Sequence, residues 1–408
     1  MKNNERSEQQ GLRLALLLPA GVALLAGLNA GLLLAGAPAP WQEPRLEDRH
    51  GMLMVLGFLG TLIALERAVA LRRTGGFAAP ALLGAGGLAL ITPLPAVVGQ
   101  LLLVAGLLAL LWVYAGLYRR SRDDLVLVQA LAAFLALVAA AMWLRVELPP
   151  LVPWLIGFLA LTIAAERVEL ARIAMPASAA ATLTAHACAL TVALTLDLLW
   201  VPWGRVLFGA GLLALVTWLL WHDVARRTIR ARGLPRYSAV ALLLGYGWLA
   251  LSALVWMGAA LVADLAAPRV VPEVAYEIAV HAAFIGFAMS MVVAHAPVIL
   301  PAVLRRPLPY RPLLWLPLVA LHLTLAARLA LAALDGLTGP WPWAALATAL
   351  ALLLFALVAA GSVIAGDRRG ARPARRSAPR PTPNAERQNT EKTENTEKTE
   401  NTPGEDPS

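Results

Sequence analysis

Residues 276–304 read YEIAVHAAFIGFAMSMVVAHAPVILPAVL, and this stretch decides the fold class. A helix rises about 1.5 Å per residue, so the stretch is long enough to cross a bilayer. It nevertheless contains two of the chain's six histidines, His281 and His295. An ionisable side chain inside a membrane needs a protein, cofactor or water partner. The stretch therefore predicts a membrane helix surrounded by other helices rather than by lipid.

The composition of the whole chain agrees with this interpretation. Of 408 residues, 59% are hydrophobic and 14% are charged, with a mean hydropathy of +0.69. Soluble domains carry roughly a quarter charged residues, so the chain is predicted to be a polytopic membrane protein in contact with lipid. The formal charge of +9 comes largely from short arginine clusters between apolar runs, which favours a topology signal over a nucleic-acid surface. A single cysteine, Cys188, excludes a disulfide framework within the chain.

Counting apolar runs of spanning length predicts an all-α integral membrane protein with about twelve helices. Arginine clusters follow the even-numbered helices, which predicts that those ends and both termini are cytoplasmic. This pattern is typical of a multi-pass protein of a bacterial-type inner (cytoplasmic) membrane. The predicted runs are 12–36, 51–71, 78–96, 98–118, 125–145, 151–172, 179–199, 203–223, 238–264, 275–304, 312–334 and 342–366.

The composition changes after residue 366. A basic, proline-rich segment is followed by TEKTEN twice, at residues 390–395 and 396–401. Such a segment has almost no apolar surface to bury, so residues 367–408 are predicted to form a disordered cytoplasmic tail behind a membrane domain at 1–366.

An internal repeat divides the membrane domain. Residues 57–67 read GFLGTLIALER and residues 157–167 read GFLALTIAAER, with seven of eleven positions identical. The shared glutamate and arginine inside apolar helices make chance similarity a poor explanation. Gly286 and Phe287 begin a weaker third copy on helix 10. Because helices 2, 6 and 10 are each four apart, the pattern predicts three pseudo-repeats of four helices.

Twelve helices in three repeats resemble the haem-copper oxidase subunit I superfamily. Within it, HGMLMVLGFLGTLIALER on helix 2 and HAAFIGFAMSMVVAHAPVILPAVL on helix 10 look most like the NnrS-type membrane proteins. The resemblance implies a haem-binding membrane protein, with copper as a further candidate. Its implied roles are in nitric oxide or nitrogen-oxide response or in electron transfer with a respiratory or cytochrome redox partner.

The residues that carry this expectation are histidines. By resemblance, helices 2 and 10 supply two axial haem ligands, which correspond to His50 and His281. Met52 holds the register before Gly57 that His281 holds before Gly286, and methionine also ligates haem iron, so the helix 2 ligand is open between His50 and Met52. Arg328 on helix 11 is a candidate partner for a haem propionate or for Asp335.

The remaining candidates are buried polar groups. His295, followed by Pro297 and Pro301, is either a metal or proton site or a structural histidine. The pairs formed by Glu66 with Arg67 and by Glu166 with Arg167 are interpreted as structural ion pairs between helices.

Whether the protein is a terminal oxidase or reductase depends on the presence of a second metal site. A terminal oxidase or nitric oxide reductase needs histidine ligands on helices 6 and 7, whereas helix 6 has no histidine and helix 7 has only His186. Terminal oxidase or reductase activity is therefore not expected. The alternative function is a secondary transporter or permease with a proton-coupled site on helices 2, 6 and 10. An assembly protein for respiratory complexes is a third hypothesis.

Overall fold

The computed structural model describes the backbone of residues 2–264, 272–304 and 310–370, and the side chains of residues 11–261, 273–298, 301 and 310–363. Within these residues, twelve helices are long and apolar enough to cross a membrane. They are α1 (Gly11–Leu34), α2 (Pro44–Leu71), α3 (Thr74–Ile91), α4 (Ala96–Ser121), α5 (Asp124–Met142), α6 (Pro149–Leu170), α7 (Ala179–Leu199), α8 (Val201–His222), α9 (Leu234–Leu261), α10 (Glu273–Val298), α11 (Pro312–Asp335) and α12 (Trp341–Val363). The prediction of an all-α, twelve-helix membrane protein is confirmed.

Several helices continue past these bounds or end earlier than expected. Helical backbone runs over Lys2–Leu34 at α1, Leu234–Asp264 at α9 and Trp341–Gly370 at α12. The third helix was expected to reach residue 96, but it ends at Ile91, because the turn before Pro93 takes the chain out of the helix.

Three helices form the centre of the bundle. The most apolar part of α6 is 100% buried, that of α2 72% and that of α10 67%, against 50% or less in the other nine described helices. These are the three helices that carry the repeat. Apolarity alone does not explain this burial, because α4, α5 and α12 are more apolar and less buried; α6 also carries Glu166 and Arg167, which need protein partners inside a membrane. Helix α10 packs against both α2 and α6, as well as against α9 and α11.

The outer helices present apolar side chains at the surface of the bundle. Leu18, Trp112, Leu323 and Leu357 are exposed there, as are many other leucines and tryptophans. Inside a bilayer such a surface meets acyl chains, so the fold implies direct contact with membrane lipid.

Helices α2 and α10 each contain a π-helical segment, at Leu53–Gly60 and Ala282–Met289. The two segments have the same register in the repeat. Their first residues are 229 positions apart (282 − 53), and the repeat glycines Gly57 and Gly286 are also 229 positions apart (286 − 57). A hydroxyl group follows each segment: Thr61 donates to the Gly57 carbonyl at 2.8 Å, and Ser290 donates to the Gly286 carbonyl. In α6 the matching residues are ordinary α-helix, so two of the three copies share this distortion.

Glycines bring α3 onto α2. A Cβ atom on Gly87 would lie 3.1 Å from the Gly57 Cα atom, so the two backbones touch without an intervening side chain. Gly57 and Gly87 therefore allow α2 and α3 to pack closely at this position.

Helix α10 remains helical through both prolines, over Ser290–Leu304. Near Pro297, the Ser238 hydroxyl from α9 donates to the Ala294 carbonyl at 2.9 Å. This bond satisfies a carbonyl in the region where proline removes backbone donors.

Residues 1–366 form one compact unit. Arg305 and Arg306 of the topology pattern and the TEKTEN repeats of the tail lie outside the described residues. The disorder of residues 367–408 remains a prediction.

Candidate functional site

A cavity of about 1520 Å³ opens among the helices at the end where α2 and α10 begin. Its wall is mainly apolar, with Phe284, Trp256 and Trp341 among the lining residues. Two histidines and one ion pair also line it, namely His50, His281, Glu277 and Arg328. A mostly apolar cavity with a few convergent polar groups is typical of a ligand or cofactor site.

His50 is held so that one ring nitrogen is free. It is the first α-helical residue after a 3-10 turn at Pro44–Arg49, and its Nδ1–H donates to the Gly27 carbonyl of α1 at 2.7 Å. The ring lies against Gly31, where a Cβ atom would come within 2.8 Å of the His50 Cε1 atom. Because a carbonyl only accepts, Nδ1 carries the proton and Nε2 keeps its lone pair. No hydrogen-bond partner of Nε2 is present among the described residues.

His281 is part of a three-residue cluster with Glu277 and Arg328. The Arg328 Nε donates to Glu277 Oε1 at 2.6 Å, and Nη2 donates to His281 Nε2 at 3.2 Å. His281 Nδ1 lies 2.9 Å from Glu277 Oε2. The guanidinium also covers the Trp341 ring at 5.3 Å. Both ring nitrogens of His281 are therefore engaged, unlike those of His50.

The sequence-based candidates meet at this cavity only in part. His50, His281 and Arg328 line it together, as the haem hypothesis requires. Arg328 is paired with Glu277, whereas the partners predicted from the sequence were a haem propionate or Asp335. The signal for Glu277 was its position one helical turn before His281, which places both on one face of α10.

The methionine alternative has a different location. Met52 is fully buried in the apolar core and is absent from the cavity wall, which Met54 lines instead. Of the small residues near the two histidines, Gly51 lines the cavity, while Gly57 packs against α3 and Gly286 against Trp248. Most of these glycines thus allow close helix packing rather than access to the cavity.

A second polar cluster surrounds Arg67 near the opposite ends of α2 and α6. Arg67 Nη2 contacts Glu66 Oε1 at 2.6 Å and Glu166 Oε1 at 3.4 Å, and Nη1 contacts Glu169 Oε2 at 3.4 Å. Gln129 of α5 accepts from Nη1 at 3.4 Å. The repeated arginine of α2 thus joins three helices.

A third cluster surrounds the equivalent arginine, Arg167. Its Nε and Nη2 each donate to a different oxygen of Asp223 at 2.8 Å, and Tyr246 donates to the same carboxylate at 2.5 Å. Burial would raise the pKa of the Asp223 carboxyl group, but the hydrogen bonds and charge of Arg167, with the Tyr246 hydroxyl, outweigh it and lower that pKa below 3.8. Asp223 was not among the sequence-based candidates, because it follows α8 and no spacing connects it to α6.

His295 belongs to this third cluster. Its Nε2 accepts from Arg167 Nη1 at 3.1 Å, and its Nδ1 donates to the Met291 carbonyl at 2.8 Å. Both nitrogens are used by the protein, so a metal ion at His295 would have to displace Arg167.

The other histidines contact tryptophans. His322 Nδ1 accepts from the Trp248 indole at 2.8 Å, so its Nε2 carries the proton and points toward the Ser290 hydroxyl. His186 and His222 lie on either side of Trp218 in a shallow groove of about 540 Å³. Among the described side chains, no group of three or more His, Cys, Asp or Glu residues has the arrangement of a metal centre.

Comparison with known proteins gives a family without a stated activity. No curated protein and no solved structure matches the chain. A family model described as a domain of unknown function, DUF8744, matches residues 13–364, which include all twelve described spanning helices except the first two residues of α1. The chain therefore belongs to the DUF8744 family.

Proposed function

We propose that the cavity binds one haem group and that His50 is an axial ligand of its iron. The observation that carries this proposal is the environment of the His50 ring. Its Nδ1–H is fixed by the Gly27 carbonyl, while Nε2 has no partner among the described residues and the ring lines a cavity of about 1520 Å³. A metal-ligating histidine commonly donates one ring N–H to a backbone carbonyl and binds the metal through the lone pair of the other nitrogen.

The other groups of the cavity fit a haem with one adjustment. His281 supplies a second imidazole, but its Nε2 accepts from Arg328, so ligation by His281 requires this bond to break. Arg328 would remain held by Glu277 and Trp341, and its free guanidinium hydrogens would face a propionate. A copper ion finds less support, because the described residues hold no third ligand beside the two histidines.

Bound haem would supply reversible one-electron chemistry and a site for a small ligand such as nitric oxide. We therefore propose that the protein acts in nitric oxide or nitrogen-oxide response, or in electron transfer with a membrane or periplasmic redox partner, as the NnrS-type resemblance implies. The arginine pattern supports an inner-membrane protein with both termini in the cytoplasm, and the cavity would then open on the opposite side.

The test is a visible spectrum of the purified protein after expression with a haem supply. We expect about one haem per chain and a Soret band, which His50→Ala removes or converts to a high-spin form. His281→Ala distinguishes two axial ligands from one. His222→Ala is the matched control, because His222 lies in the separate groove beside Trp218. Absence of haem from the folded wild type, or a spectrum that His50→Ala leaves unchanged, would exclude the proposal.

A secondary transporter is the second candidate, and a specific observation supports it. Three carboxylates converge on the single Arg67 guanidinium at the far ends of the same central helices that line the cavity. Transporters build substrate and ion sites from such repeat-related helices. Substrate uptake that depends on a proton gradient, in vesicles containing haem-free protein, would favour this candidate over haem binding.

A further inference from the structure

The Arg67 cluster carries more negative charge than its cation can balance. Glu66, Glu166 and Glu169 all lie within 3.4 Å of one guanidinium. The side chain of Glu169 is 49% exposed, so water solvates it, whereas Glu166 is only 12% exposed. Glu66 has the closest contact with Arg67, at 2.6 Å, so its carboxylate is the one that the guanidinium stabilises most. Among the described residues, Glu166 is thus the most buried of the three carboxylates, and it shares its cation, Arg67, with the other two.

Two neighbouring basic side chains, Arg167 and His295, are engaged in other contacts. Arg167, its neighbour in the chain, is committed to Asp223 by two hydrogen bonds of 2.8 Å. His295 of α10 accepts a hydrogen bond from Arg167 at Nε2 and donates from Nδ1 to the Met291 carbonyl, so the ring is not a cation in this arrangement. A buried carboxylate that shares its cation with two others is strongly disfavoured inside a membrane, because it loses its hydration without gaining a full counter-charge.

Two polar side chains beside the cluster lack partners. Tyr114 of α4 and Gln129 of α5 are each 1% exposed. Within the described part of the chain, the Tyr114 hydroxyl and the Gln129 Nε2 have no hydrogen-bond partner. The Gln129 Oε1 accepts from Arg67, so its amide lies at the cluster, and the Tyr114 hydroxyl is near enough to interact electrostatically with Arg67 and Glu166. A native protein rarely leaves two such groups unsatisfied without a role for them.

We propose that Glu166 is a proton-binding site that alternates between carboxylate and carboxylic acid. Binding adds one proton to a carboxylate oxygen and changes no other bond. The Tyr114 hydroxyl suits both states, because it donates to the carboxylate and accepts from the acid. A proton is the occupant, since the described residues offer no set of three ligands for a metal ion. Protons enter from the side where α2 and α6 end, past the half-exposed Glu169.

This site is separate from the cavity and does not depend on haem. It lies on the other half of α2 and α6, and none of its residues lines the cavity. Its test is therefore performed on the full-length protein without haem, so failure of the haem proposal leaves its outcome unaffected.

The experiment is infrared spectroscopy of the protein in lipid at about pH 7, where solvated carboxyl groups are ionised. We expect a C=O stretching band of a protonated carboxyl group that shifts in D₂O and disappears reversibly when the pH is raised. Glu166→Gln should abolish this band. Glu43→Gln is the matched control, because Glu43 pairs with Arg45 before α2, far from the cluster, and should leave the band intact.

Tyr114→Phe provides a second test in case Glu166→Gln does not fold. It removes only the hydroxyl, so it should keep the band but move its frequency, because the nearby hydroxyl dipole no longer polarises the carboxyl group. Three results would overturn the proposal: no protonated-carboxyl band in the wild type, a band that survives Glu166→Gln, or a frequency that Tyr114→Phe does not change.

Discussion

Arg328 shows how one side chain stabilises the wall of the cavity. It is 8% exposed, pairs with Glu277, donates to His281 and covers the Trp341 ring. A buried ion pair contributes little beyond its desolvation penalty, but removal of one partner leaves the other charge uncompensated. Stability should therefore be far more sensitive to loss of Arg328 alone than to loss of the pair.

We predict that Arg328→Gln lowers the free energy of unfolding by about 3–5 kcal/mol, because the Glu277 carboxylate then lacks its cation. Thermal unfolding in detergent measures the change. The double variant Arg328→Gln, Glu277→Gln should recover much of it. Arg172→Gln is the control, since Arg172 pairs with Asp123 at the surface and is 59% exposed, and its loss should cost at most about 1 kcal/mol. Equal losses of unfolding free energy for Arg328→Gln and Arg172→Gln would contradict the buried-pair interpretation.

Asp223 connects stability to pH. Its pKa is lower in the folded protein than the ordinary 3.8, so its pairing with Arg167 stabilises the fold fully above pH 3.8 and progressively less as the pH falls through the folded pKa. We predict that wild type is more stable than Asp223→Asn by a constant amount between about pH 7 and pH 5, and that this difference shrinks below about pH 4. Melting temperatures of both proteins along a pH series provide the measurement. A difference that grows on acidification would contradict the prediction.

At the scale of helices, the two π-helical segments follow from the repeat. Each lies in the same register on α2 and α10, and each is followed by a hydroxyl that donates back to a glycine carbonyl. A π turn widens the helix and leaves a carbonyl poorly satisfied, so a Thr or Ser four residues later is the local remedy. In α6 the matching position, 161, is leucine, and that helix remains regular. His50 and His281 precede the two segments, and both line the cavity.

Helix contacts in the first repeat depend on glycine, which gives a prediction at this scale. A Cβ atom on Gly106 of α4 would lie 2.9 Å from the backbone nitrogen of Leu83 on α3. We predict that Gly106→Ala lowers the free energy of unfolding by about 1–3 kcal/mol, because the two helices must separate. Gly258→Ala on α9 is the control, since its Cβ would meet no atom within 4 Å and should stabilise the helix by up to about 1 kcal/mol. Unfolding in detergent compares the two variants, and an equal change in stability for both would contradict the packing explanation.

For the whole molecule, the two proposed sites lie toward opposite ends of the three central helices. The cavity lies where α2 and α10 begin, and the Arg67 and Arg167 clusters lie toward the ends of α2 and α6. Because these helices are buried, polar groups on them contact protein rather than lipid. A cofactor site and a proton site on opposite halves of the same helices would be accessible from opposite sides of the membrane.

The orientation of these halves is the fourth prediction. Arginine clusters after the even-numbered helices predict that both termini are cytoplasmic. A reporter that is active only in the cytoplasm, fused after residue 366, should be active, and one fused in the connection between α1 and α2 should be inactive. The reverse result would place the cavity on the cytoplasmic side and the Glu166 site on the outer side.

The sequence alone determined the helices, the repeat and the inner position of helix 10. In lipid, backbone groups must bond within the segment, so an apolar run of spanning length has no alternative to a helix. Residues 276–304 were predicted to be surrounded by other helices, because their histidines cannot face acyl chains. His50, His281 and Arg328 were candidates through the resemblance to NnrS-type proteins, and they line one cavity.

Only the tertiary structure decided which residues are partners. Arg328 and Glu277 are 51 positions apart, Arg167 and Asp223 are 56 apart, and Arg167 and His295 are 128 apart. No helical period relates such distant residues, because periodicity specifies which face of one helix is buried but not which helix packs against it. The cavity, the free Nε2 of His50 and the unbalanced charge at Glu166 all result from that packing. They depend on the relative positions of helices that the local sequence leaves undetermined.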